Sequence, residues 1–249
     1  MSNIKFTYKN VFEDCSSVSC SPTESTAYPL YRLYDRDIDK LFAFSSVSTE
    51  MSITANQGAS SDVWLSPTRL IIPEGHNLNG LDCILYYSTD NIAFTSVTSW
   101  TQADTNTINK TFTAPTYHYF KFKIISATSH TGQLPELFLG PDYTFQRNPS
   151  YGSVVGKKIN VLRDETQSGK VRLIKQGDIR KKGTYDLTVI ETTQKDDLET
   201  LIDYIEGAKP LWMTDENGTL TYIEILNEPE FVYKAAGKYS CVIDFQEVI

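Results

Sequence analysis

Residues 69–94 read RLIIPEGHNLNGLDCILYYSTDNIAF, residues 109–126 read NKTFTAPTYHYFKFKIIS, and residues 134–140 read LPELFLG. An apolar run meets a Gly/Asn-rich turn, a second run ends in the polar Ser88–Asn91 segment, an alternating aromatic run follows, and a short apolar run closes the series. Runs rich in Val, Ile, Thr, Tyr and Phe between turn residues predict β-strands. The same punctuation continues outward in both directions, roughly every 8–12 positions, which is the pattern of an all-β protein. Candidate strands are Ile4–Phe12, Val63–Ile72, Asp82–Ser88, Thr111–Phe112, Tyr119–Ile125 and Leu137–Leu139, lengths that suit a β-sandwich.

The chain has 249 residues and a formal net charge of -8. That length accommodates two ordinary domains, each with its own core. An acidic balance argues against a general nucleic-acid binder, which needs a basic footprint. The opening MSNIKFTYKN lacks the apolar stretch of a secretion signal, and no apolar run is long enough to span a bilayer, so the expectation is a soluble product of a cytoplasm with no membrane partner. The four cysteines, Cys15, Cys20, Cys83 and Cys241, are irregularly spaced, and Cys83 and Cys241 fall within apolar strand patterns. Free thiols are expected, since a disulfide framework would be denser.

The segment Gly140–Gly152 contains two prolines and two glycines and separates differently organised regions, which places a domain boundary there: residues 1–141 and 142–249. The second region reads as a hairpin (Ser153–Arg163, turn Glu165–Gly169, Lys170–Gln176), a strand Gly183–Glu191, a helix, and further strands. Thr193 with Asp196 three residues later predicts a capping-box start for the helix. Leu198, Leu201, Ile202 and Ile205 form one apolar stripe, and Gly207 and Pro210 end it. Asn217-Gly218 predicts a two-residue hairpin turn. Lys238–Ile249 alternates as a closing strand.

Two resemblances follow from these residues. The order from "RLIIPEG" through "GHNLNG", "YSTDN" and "HYFKFKI" to "ELFLG" resembles a discoidin-type, galactose-binding-like jelly roll, a β-sandwich used for adhesion. Residues 145–249, with "RNPSYGSVVGKKINVLRDETQSGK", "KKGTYDLTVIETT", "LWMTDENGTLTYIEIL" and "YSCVIDFQEVI", resemble the tail-tube-like split β-barrel of long-tailed bacteriophages. The fold class implied is mainly β, a jelly roll followed by a split barrel with one packed helix.

No nucleophile elbow, phosphate loop, HExxH or dinucleotide fingerprint occurs, and His76, His118 and His130 lack a carboxylate at a suggestive spacing, so no catalytic residue and no cofactor is assigned. Asp35, Asp37 and Asp39 begin with EF-hand spacing, but Lys40 stands where glycine is required and Ser46 where a bidentate Glu is needed. The jelly-roll resemblance allows a structural calcium beside such a turn. A solvated acidic turn is the plainer reading, and no metal ligand is assigned. Sugar platforms are exposed aromatics. Trp64, Trp100, Tyr28, Tyr31, Tyr34 and the polar pair His76-Asn77 are candidates, of which Trp100, His76, Asn77 and Tyr34 are retained as glycan contacts. Core packing is the competing reading for each aromatic, and turn-shaping for His76-Asn77. Tyr86 and Tyr87 alternate, so one of them faces the core.

From Gly156 to Gly183 nine basic residues face three acidic ones in an otherwise acidic chain. A basic hairpin beside acidic surface suits a head-to-tail contact, and Lys157, Lys158, Arg172 and Lys175 are its candidate inter-subunit residues. The tail-tube resemblance implies a structural virion component, a minor or distal tail protein in a six-subunit ring at the tube tip, with tail-tube and baseplate-hub proteins as neighbours and a cell-surface glycan as a further partner. The alternative is a carbohydrate-binding adhesion protein without an assembly role.

Overall fold

The computed structural model describes residues 2–61, 64–113, 116–149, 153–165 and 171–248, with residues 160–165, 171–174, 176 and 177 described by backbone alone. The protein is mainly β and divides into two compact units, Lys9–Asp142 and Met1–Tyr8 together with Tyr143–Ile249. Residues 2–8 thus belong to the other unit and not to the sandwich to which the sequence pattern assigned Ile4–Phe12. The short strand β1 (Lys5–Thr7) pairs with β15 (Leu211–Thr214), Phe6 opposite Met213. Its alternation fits either sheet; Ile4, Phe6 and Tyr8 are buried with Phe145, Leu211 and Met213. The strand stops before Asn10, whose side-chain oxygen accepts from the Phe12 amide and caps the short helix α1 (Val11–Asp14).

In Lys9–Asp142 a five-stranded antiparallel sheet runs β2 (Ser17–Ser21), β4 (Ser48–Asn56), β9 (Tyr119–His130), β6 (Asp82–Ser88), β7 (Thr95–Thr101). A three-stranded sheet of β11 (Phe138–Gly140), β5 (Arg69–Ile72) and β8 (Ile108–Thr111), with the pair β3 (Phe42–Ala43) and β10 (Gln133–Leu134), completes the sandwich. Strand alternation decides which face is buried. Along β9, Phe120, Phe122 and Ile124 point into the core while Tyr119, Lys121 and Lys123 stay half-buried on the other face. Each fully buried apolar side chain of this kind contributes ~1.5–3 kcal/mol. Of the two adjacent tyrosines, Tyr87 packs on the core.

Chain ends meet inside this unit. A Cβ on Gly140 would lie 1.9 Å from the Lys9 carbonyl oxygen, so only glycine fits. Arg69, buried on β5, is held by both Asp142 oxygens at 2.7 Å and by Asn109 Oδ1 at 2.9 Å, so its charge is fully paired. Val63 lies outside the described residues, and the strand expected from it begins at Arg69.

The other unit is one antiparallel sheet in the order β12 (Asp142–Thr144), β1, β15, β16 (Leu220–Ile225), β18 (Lys238–Glu247), β14 (Val171–Glu191), β13 (Val154–Glu165), with β17 (Val232–Ala235) also paired to β18. The hairpin and the separate Gly183–Glu191 strand of the sequence reading share a single strand, β14; the expected turn at Glu165–Gly169 falls almost wholly outside the described residues. Pairing of β14 with β18 begins at Lys182, so among the described residues from Gly156 to Lys181 the β13–β14 ribbon is backbone-paired only within itself. Gly183 sits at that branch point: a Cβ there would lie 2.6 Å from the Phe245 ring.

Helix α2 (Thr192–Ile205) packs on β14 and β18 through Leu198, Leu201 and Ile205, with Ile202 half-buried. Its cap position is Glu191, which makes no side-chain capping bond, in place of the expected Thr193–Asp196 box; Glu191 is still bound into the sheet opposite Lys238. Glu206 and Gly207 end the helix in left-handed conformations. The Asn217-Gly218 turn is wider than two residues. Gly218 alone has positive φ, and the Asp215 carboxylate accepts from the Asn217 and Thr219 amides, closing a five-residue loop.

Candidate binding surfaces

On the sandwich, residues 24–34 present aromatic rings to solvent. The Tyr28 amide donates to the Ser25 carbonyl, Pro29 precedes the 3₁₀ turn η1 (Leu30–Leu33), and the Leu30 amide donates to Glu24 Oε2. Side chains three apart in a 3₁₀ turn eclipse one another. Leu30 and Leu33 therefore both face the core, and Tyr31 is turned outward. Tyr31 is 51% and Tyr28 42% exposed, the exposed aromatics of the sandwich among the described residues. The Arg32 guanidinium stands 5.8 Å from the Tyr28 ring centroid; Nη1 donates to the Leu41 carbonyl at 3.2 Å, while Nε has no acceptor. Tyr34 lies half-buried against the core beneath this surface, and burial, with the Cys15 and Glu24 charges, holds its phenol above the ordinary range.

The other retained glycan candidates lie elsewhere. His76 is buried: its Nδ1 accepts from the Leu78 amide, which leaves Nε2 to donate to the Asn106 carbonyl at 2.9 Å. Asn77 donates to the Thr131 carbonyl and accepts from the Gln133 amide. Both side chains are committed to shaping the turn. Trp100 is half-buried over Phe122 with Lys110 at 5.2 Å from its ring, and its indole donates to Gln102. Among the described residues, none of Tyr34, His76, Asn77 and Trp100 bonds to or stacks on another. Trp64 stacks on His118 at 5.1 Å and donates to the Gly58 carbonyl.

The acidic turn does not fit a calcium cage. Asp35 and Asp37 accept from the amides two residues on and pair with Lys40, Arg36 is held by Glu13 at 2.7 Å, and no group of three or more acidic, His or Cys side chains among the described residues converges on one point. The sequence pattern missed Glu136. It is completely buried, neither oxygen has a hydrogen-bond partner, and desolvation, eased by Arg36 and reinforced by Asp35, Glu13 and Asp37, pushes its carboxyl up to about 8. Within "LPELFLG" it gave no signal beyond a polar residue beside a strand. All four cysteines are free, and burial drives the Cys83 and Cys241 thiols up to about 12, which leaves them unreactive.

On the other unit, Lys157, Lys158 and Lys175 are exposed, Lys158 reaching Gln246; the Arg172 side chain lies outside the described residues. Exposed Val154, Val155, Ile159 and Ile179 stand among these cations. No helix among the described residues is long and apolar enough to cross a membrane.

Neither family models nor curated proteins give a match to the chain. Solved structures similar to it include chitosan-binding module 1 of a chitosanase/glucanase from Paenibacillus sp. IK-5, at 18% identity, covering 53% of this chain and 98% of that one with a TM-score of 0.44. A family 32 carbohydrate-binding module of Clostridium perfringens NanJ, in complex with galactose, aligns at 15% identity over 54% of this chain and 98% of that one, TM-score 0.43. A Clostridium perfringens module in complex with GalNAc-β-1,3-galactose aligns at 12% identity over 50% and 94%, TM-score 0.41.

Proposed function

We propose that the chain is a saccharide-binding protein whose sandwich contacts its ligand through Tyr28, Tyr31 and Arg32. The observation that carries this reading is the outward turn of Tyr28 and Tyr31 on an anchored 3₁₀ segment beside a guanidinium. A rigid aromatic face stacks on the apolar face of a pyranose, and a guanidinium donates to its hydroxyls. Turning Arg32 toward a ligand breaks one bond, that to the Leu41 carbonyl. Galactose, N-acetylgalactosamine and chitosan oligosaccharides are the first ligands to titrate by calorimetry. Tyr31→Ala and Tyr28→Ala are each expected to weaken binding about tenfold, ~1–2 kcal/mol, with the fold unchanged. Binding that survives the double replacement, or no binding to any glycan on an array, sinks the assignment.

A second reading is a structural role in a long-tailed phage virion, in a ring at the tail-tube tip. The order of a long β13–β14 hairpin, helix α2 and the β15–β16 hairpin in the Tyr143–Ile249 region favours it. Immunogold labelling of particles tests it: absence of the protein from virions rejects that role and leaves the saccharide reading standing.

A further inference from the structure

The sandwich holds three arginines, and two of them are neutralised within it. Arg36 is bound by Glu13 and Arg69 by Asp142, each at 2.7 Å. Arg32 differs. Among the described residues its hydrogen bonding consists of Nη1 donating to the Leu41 carbonyl at 3.2 Å, and its buried Nε has no acceptor. Asp37, which feels the Arg32 charge, is bridged to Lys40 at 2.8 Å, and the Glu24 carboxylate accepts from the Leu30 amide. Beside two outward tyrosines, the fold therefore keeps a guanidinium that none of its described carboxylates bonds.

The strength of the bonds exchanged discriminates between ligands. Turning Arg32 outward gives up a neutral carbonyl acceptor. A sugar hydroxyl replaces it with a bond of the same kind, so that exchange is close to neutral. A carboxylate instead accepts from Nε and a terminal nitrogen together through charge-assisted bonds, about twice as strong as neutral ones, and supplies the acceptor that Nε lacks. We propose, resting on the saccharide reading above, that the ligand is an acidic sugar: a pyranose whose apolar face stacks on Tyr28 or Tyr31 and whose carboxylate is held by the Arg32 fork. The carboxylate of a hexuronic acid is joined directly to the ring, so stacking on Tyr28 carries it toward Arg32, whose guanidinium stands 5.8 Å from that tyrosine's centroid.

Calorimetric titration of the full chain with trigalacturonic acid and with its methyl ester tests the proposal, because the ester keeps the stacking face and removes the charge. 3′-Sialyllactose against lactose forms a second acid–neutral pair and distinguishes a sialic from a uronic acid as the source of the carboxylate. In at least one pair the acid is expected to bind about tenfold tighter, by a ratio that falls as salt rises. Arg32→Gln is expected to erase the difference, and Arg32→Lys to keep only part of it, since an ammonium lacks the planar fork. Equal affinities within both pairs, with Tyr31→Ala still weakening them, overturn the acidic-sugar proposal and leave the saccharide reading standing. An acid preference that survives Arg32→Gln also overturns it, and assigns the attraction to other cations of the chain. Binding of none of these sugars, acidic or neutral, overturns it together with the saccharide reading. Should Arg32→Gln fail to fold by circular dichroism, Arg32→Lys decides: an undiminished acid preference in that variant rejects the fork.

Discussion

Glu136 sets the pH response of the sandwich. Its carboxyl is raised from an ordinary 4.5 to about 8 by burial first, with Arg36 pulling it back and three carboxylates adding to the rise. A group raised in the folded state contributes stability that is complete below the unfolded value and is lost as pH climbs toward the folded one. The sandwich is therefore expected to lose up to ~1.4 kcal/mol per pH unit between about 4.5 and about 8 from this residue, and to level off above. Urea melts across that range measure it, and Glu136→Gln should flatten the slope. An unchanged slope in the variant rejects the account. The residue was illegible in sequence because its burial, and the charges of Arg36, Glu13 and Asp35 that act on it, come from the tertiary fold, which no local spacing encodes. Tyr28 and Tyr31, by contrast, were named among the candidates, but only the eclipsed Leu30–Leu33 pair shows which rings face out.

Helix α2 starts without a side-chain cap. Glu191 has extended dihedrals and makes only an exposed ion pair with Lys238, which contributes little. Glu191→Asp brings a shorter carboxylate within reach of the first-turn amides while keeping the favourable charge there. It is expected to stabilise that unit by ~1 kcal/mol in thermal melts. The apolar stripe of this helix was fully legible, since a 3.6-residue period needs no context. Its start was not, because the position at which β14 releases the chain depends on pairing with β18. The same limit applies at the Asn217-Gly218 turn, where the Asp215 carboxylate, outside the dipeptide, widens the loop. The buried face of strand β9 followed from alternation alone, although the strand runs on to His130, beyond the expected end at Ile125; the place of β1 did not, since a strand's period says which face is apolar but not which sheet will take it.

At the scale of the molecule, the chain leaves one unit at Tyr8 and re-enters it at Tyr143. Strand β1 lies between β12 and β15 and supplies Ile4, Phe6 and Tyr8 to the core. A fragment of residues 143–249 should therefore be unfolded or aggregated by circular dichroism and light scattering, whereas residues 1–8 joined to 143–249 by a Gly/Ser linker should fold. A well-folded 143–249 fragment contradicts this. Residues 9–142 alone should fold as a sandwich.

The close approach of Lys9 to Gly140 also has a kinetic meaning. During synthesis the first eight residues emerge long before Trp212, the partner of Thr7, exists. The intervening residues can fold meanwhile, and once the Lys9 carbonyl sits against Gly140 a very long connection has become a short one, so the entropy of closing it is already spent when β15 appears. The inserted sandwich thus acts as an intramolecular clasp. Loosening it by Gly140→Ala should slow refolding of the unit that contains neither residue.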